Sequence, residues 1–113
     1  FAVQGGDTQD QNLLQFFLNM VEFEMNVQEA AEAANVNSYQ MYSSFGTHSK
    51  EAGRIVVRDD TPPWVTKDLR SKGYNVVTRR LTSGPINAIW FDHKNGTLWG
   101  GSSNFGEDYG IGW

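Results

Sequence analysis

The sequence has no cysteine, which excludes disulfides and thiolate metal centres and leaves the redox compartment open. Histidine is almost as scarce. His48 and His93 lie far apart in the chain, both in loop-like stretches. They predict surface side chains rather than a metal site, and no cofactor is expected. Basic residues number 9 against 13 acidic ones, for a net charge of -4, and the longest basic cluster is Arg79-Arg80. Nothing here could neutralise a row of phosphates, so no nucleic-acid partner is expected. No apolar run approaches the length of a membrane span, and the first residues lack the charged and apolar blocks of a signal peptide. No membrane partner is expected either.

What is present is enough for a core: 113 residues, 39% hydrophobic and 13% aromatic, predict one domain over residues 1–113. The chain opens on Phe1-Ala2-Val3, an apolar strand-like run with no turn or cap before it. That pattern predicts a piece of something longer, with a sheet edge that needs a partner chain or pairs with a second copy. Gly5-Gly6-Asp7 follow, at the doorway of an amphipathic stretch. Adjacent glycines permit positive φ and close approach, and a helix start leaves N–H donors unpaired. A plain turn with Asp7 as N-cap accounts for them; so does a seat for an anion or a developing oxyanion.

Leu13, Leu14, Phe17, Met20 and Val21 recur at helical spacing, and Phe16 and Phe23 widen the stripe. A largely buried helix is predicted, with Asp7 and Asp10 at its positive end. Asn26-Val27-Gln28-Glu29 has the spacing of a capping box and starts a second helix. From Val36 to Lys50 the period is lost, which predicts loop with a short strand near Tyr39 to Tyr42. Arg54 to Val57 reads as a strand. A helix follows with Thr61 as N-cap, Pro62 in first position and Gly73 just past the end. "YNVVTRRL" reads as a strand, and "INAIWFD" and "TLWGG" form an antiparallel hairpin around Asn95-Gly96. The glycine-rich tail ends on Ile111 and Trp113, which predicts that it is tied down. Asp59-Asp60 and Glu107-Asp108 sit beside turns, where solvated carboxylates are ordinary. Trp64, Trp90 and Trp99 fit a core or an interface better than a stacking platform.

Taken in order, the GG-helix, "EFEMNVQEAAEA", "TPPWVTKDLRSKGYNV" and "SGPINAIWFDHKNGTLWGGSS" resemble the C-terminal part of the small subunit of the gamma-glutamyltranspeptidase family. The resemblance covers nearly the whole chain. It implies an α+β fold, a portion of the four-layer αββα sandwich of N-terminal-nucleophile hydrolases. It further implies autoprocessing and a threonine, freed at the small subunit's new N-terminus, that attacks a gamma-glutamyl or related amide; its α-amine acts as base. The acyl group then passes to water or an amine, as in glutathione metabolism. The implied partners are the remainder of the small subunit and the large subunit of the same precursor.

On that resemblance Gly5 and Gly6 are the catalytic oxyanion donors. Every threonine from Thr8 to Thr97 is internal, so the chain alone is expected to be inert. Some positions depart from the family pattern. Gln4 replaces the usual Thr-Pro or Ser-Pro before the glycines, Glu24 replaces a glycine, Ala34 a proline, and Ser103-Asn104-Phe105 an Asp-Pro-Arg. Together with the form of Gly5, Gly6, Asp7, Gln9 and Gln11, they favour an acylase-like relative over a typical glutathione enzyme. The alternative from another class is a non-catalytic binding or scaffold module.

Overall fold

The computed structural model describes residues 1–106 and Gly110. In chain order the elements are β1 (Ala2–Val3), α1 (Gln9–Val21), α2 (Val27–Glu32), β2 (Val36–Ser38), β3 (Arg54–Arg58), α3 (Pro63–Ser71), β4 (Asn75–Arg79), β5 (Ile86–Asp92) and β6 (Thr97–Ser102). They form two three-stranded sheets, ordered β1-β5-β6 and β2-β3-β4. The first sheet is antiparallel throughout, with Val3 opposite Ile86 and Trp90 opposite Trp99. In the second, β3 and β4 are parallel across the α3 crossover, and β2 is antiparallel to β3.

Side chains alternate across β5, so Ile86 and Ala88 face one way and Asn87, Ile89 and Phe91 the other. The first pair joins Val3, Phe16, Val27, Ala30 and Ala31 in a buried cluster that packs α1 and α2 on the sheet. A second cluster, Ile55, Val57 and Val76 under Leu69 and Tyr74, seats α3 on the other sheet. Helix α2 begins as its sequence predicts: Asn26 accepts from the Gln28 and Glu29 N–H groups, and Glu29 accepts from the Asn26 N–H. The hairpin is also as predicted. Gly96 takes φ 66°, and the Asp92 carboxylate gathers the Lys94 and Asn95 N–H groups and the Asn95 amide. The Asn95 amide, with those N–H groups, holds the Asp92 pKa below its ordinary value.

Several details differ from expectation. Helix α1 is not largely buried: Phe16 is 2% exposed, but Leu14, Phe17, Val21 and Phe23 are exposed. A helix on a three-stranded sheet uses one line of residues, and the wide stripe faces away. The short strand lies at Val36–Ser38 rather than Tyr39 to Tyr42, because helix α1 holds it there. Gln11 pairs through both amide atoms with the Ser38 backbone, and Gln15, one turn on, does the same with Val36. Two glutamines thus satisfy the outer edge of β2. Helix α3 starts one residue late, with Pro62 as N-cap and Pro63 in first position, since the first helical bonds, from the Val65 and Thr66 N–H groups, go to the Pro62 carbonyl. Gly73 ends it at φ 90°, as expected.

The three tryptophans are not core among the described residues: Trp64, Trp90 and Trp99 are all more than half exposed. His48 and His93 are exposed, as predicted. The start of the tail is fixed. Ser103 bonds the Ile86 backbone in both directions, and Phe105 is buried beneath the Arg58 guanidinium. Ile111, Trp113 and the Glu107-Asp108 pair lie outside the described residues.

Candidate functional site

The turn between β1 and α1 carries Gly5 and Gly6. Gly5 takes φ 149°, a conformation that side chains strain. Both glycines are exposed, and among the described residues neither N–H has an acceptor. The local sequence explains the geometry. The chain leaves the short strand at Val3 and must turn before Thr8, the N-cap of α1, whose side chain makes no cap bond. Asp7 is therefore not the N-cap. Its carboxylate reaches 37 residues along the chain and accepts the Ser44 N–H at 2.7 Å. That backbone bond is the main reason the Asp7 pKa lies below its ordinary value, with His48 adding a smaller push.

Four further contacts fix the turn. The Gln4 N–H donates to the Pro85 carbonyl at 3.1 Å, and the Gln9 amide donates to the Val3 carbonyl at 3.1 Å. Gly84 lies so close to Gln4 that a Cβ there would sit 2.7 Å from the Gln4 carbonyl carbon and closer still to its oxygen. Gly6 meets the ring of Phe45, where an added Cβ would fall 2.6 Å from Cε2.

Behind Gly84 lies a polar network. Thr82 donates to the Asn35 side chain and accepts from the Asn37 amide, while Asn35 donates to Asn12 at 2.6 Å. Asn12 and Asn37 are 1% and 0% exposed, and this network ties α1, β2 and the loop before β5 together. Sequence reasoning singled out Gly5 and Gly6 but not Phe45, Ser44, Gly84 and Thr82, which the structure brings around them. None carries a local signal, since each matters through a residue dozens of positions away. Asp59-Asp60 is not part of the site: Asp60 pairs with Arg58, and the hydrogen bond from that side chain lowers its pKa. Among the described residues no group of three His, Cys, Asp or Glu could hold a metal ion.

The two sheets and their helices make an α+β fold that fits a portion of the αββα sandwich of N-terminal-nucleophile hydrolases. Solved structures bear this out. The chain superposes on two structures of LmbA2991 with TM-score 0.90, at 27% and 28% identity, covering 99% of this chain and 20% of those. The gamma-glutamyltranspeptidase from Pseudomonas nitroreducens complexed with L-DON matches with TM-score 0.79 at 20% identity, covering 99% of this chain and 53% of that one. The cephalosporin acylase from Bacillus halodurans matches with TM-score 0.74 at 24% identity, covering 91% of this chain and 18% of that one. No curated protein matches. The model of the gamma-glutamyltranspeptidase family matches residues 1–113, and the chain belongs to that family. It spans between 18% and 53% of the length of these solved relatives.

Proposed function

We propose that residues 1–113 act as one unit, the C-terminal part of the small subunit of an amide hydrolase or acyltransferase that takes gamma-glutamyl or related amides. Gly5 and Gly6 donate their backbone N–H groups to the tetrahedral oxyanion, and the nucleophilic threonine comes from outside this chain. The observation that carries the reading is the pair of N–H groups on exposed residues, without acceptors among the described residues, held at a turn braced by Pro85, Gly84 and Phe45. Rigid donors aimed at the place where charge develops stabilise the transition state without reorganising at the moment of reaction.

The sheet supports the partnership. Ile89, Phe91 and Leu98 stand exposed on the face turned away from α1 and α2 and line, with Phe1 and Ala2, an open concavity of about 950 Å³. A sandwich half with its inner face bare needs the other half, supplied by the large subunit and the remainder of the small one. Without them this face and the strand edges favour self-association.

The test compares the 113-residue chain with the full-length protein on a gamma-glutamyl anilide and a cephalosporin-type amide. The isolated chain is expected to give no turnover above buffer, and the full-length protein to turn over at least one of them. A trapped acyl intermediate should place its oxygen about 2.7–3.1 Å from the Gly5 and Gly6 nitrogens. Those N–H groups turned away, or turnover by the isolated chain, would refute the assignment.

A further inference from the structure

The loop between β2 and β3 is folded onto the glycine turn. Gly46 and His48 take φ 60° and 52°, the Ser43 N–H donates to the Ser49 carbonyl at 2.9 Å, and the His48 N–H donates to the Phe45 carbonyl at 3.2 Å. His48 Nδ1 lies 2.8 Å from the Ser43 carbonyl. The turn is fastened to the site by the Ser44 N–H on Asp7. Its effect is to lay the Phe45 ring against Gly6 while 65% of that residue stays exposed.

We propose that Phe45 is a specificity-determining residue: it forms one wall of the acyl pocket and selects an apolar acyl group over a charged aminoacyl one. The proposal rests on the oxyanion reading of Gly5 and Gly6. An acyl chain whose carbonyl oxygen takes the Gly6 N–H must run beside the ring that covers Gly6. An apolar chain gains buried area there. A carboxylate, such as the one an aminoacyl group carries, would lose water against the ring without a counter-charge. No free cation of the loop meets it: the single lysine, Lys50, sits over the Tyr42 ring at 4.6 Å, and Asp7, which accepts the Ser44 N–H, stays negative. Met41 and Tyr42, 80% and 67% exposed, belong to the same loop. Gly6 itself has no left-handed φ, so what a side chain there would meet is the Phe45 ring, not backbone strain.

The test uses full-length protein, wild type, Phe45→Ala and Phe45→Leu. It measures the affinity of hexanamide and of glutamine by NMR titration, together with kcat/KM on the matching anilides. Wild type should bind hexanamide more tightly than glutamine. Phe45→Ala should lower the hexanamide-to-glutamine affinity ratio about tenfold, with Phe45→Leu recovering most of it. The loss should appear in KM rather than kcat. An unchanged ratio in Phe45→Ala, or tighter binding of glutamine by wild type, would overturn the proposal. The affinity shift without turnover of either anilide would uphold the pocket and overturn the hydrolase reading alone.

Discussion

Replacing Gly84 by alanine tests how the glycine turn is positioned. The new Cβ would lie 2.7 Å from the Gln4 carbonyl carbon, and the obstructing atoms are backbone rather than the end of a flexible side chain. That is roughly 1 Å short of a carbon–carbon contact, so either β1 or the loop before β5 must move by about that much. Overpacking of this kind costs about 1–3 kcal/mol. The displacement also falls on Gln4, whose N–H bond to Pro85 holds the residue immediately before Gly5. A donor misplaced by about 1 Å can lower the chemical rate roughly 100-fold. The assay is single-turnover acylation by the full-length protein, run where near-UV circular dichroism shows the variant folded, alongside its denaturant midpoint. Ser83→Ala is the companion variant, since it loses only a 2.8 Å hydrogen bond to the Gly84 carbonyl and should keep its rate. Gly84→Ala with wild-type acylation and stability would refute the reasoning. A stability loss with an unchanged rate would show that Gly84 does not set the turn.

Three more predictions follow from the same geometry. Glu24 takes φ 55° where α1 turns back and the Met25 N–H reaches the Asn19 carbonyl, so Glu24→Gly should raise stability by up to about 1 kcal/mol; a lower denaturation midpoint would count against it. At Gly101 a Cβ would meet the Val27 carbonyl oxygen at 2.8 Å, which predicts a loss of about 1–3 kcal/mol for Gly101→Ala, checked by urea denaturation. The Asp7 pKa is lowered in the fold by the Ser44 N–H, so this bond stabilises the loop above the ordinary carboxylate pKa and is lost as pH falls through the lower folded value. The Ser44 amide resonance should therefore move with acidification below about pH 4 in wild type and stay flat in Asp7→Asn; the reverse pattern would remove Asp7 from the loop anchor.

The sequence by itself determined the parts whose cause lies within a few residues. The Asn26 to Glu29 box caps its own helix, Asn95-Gly96 turns its own hairpin, and the proline pair and Gly73 bracket α3, because these signals act through bonds spanning two to four positions. Gly5-Gly6 was legible as an unusual turn for the same reason. Tertiary structure decided what surrounds it. Asp7 has the composition of an N-cap, yet a backbone N–H from position 44 takes its carboxylate. Gln11 and Gln15 look like solvent-facing helix residues, yet they complete the edge of β2 and so shift that strand from its expected place. The wide stripe of α1 predicts burial, but its outer half stays exposed because a helix lying on a three-stranded sheet buries one line of its residues. Periodicity reports that a face is apolar; which face is covered, and what stands beside Gly6, depends on long-range packing that no local window contains.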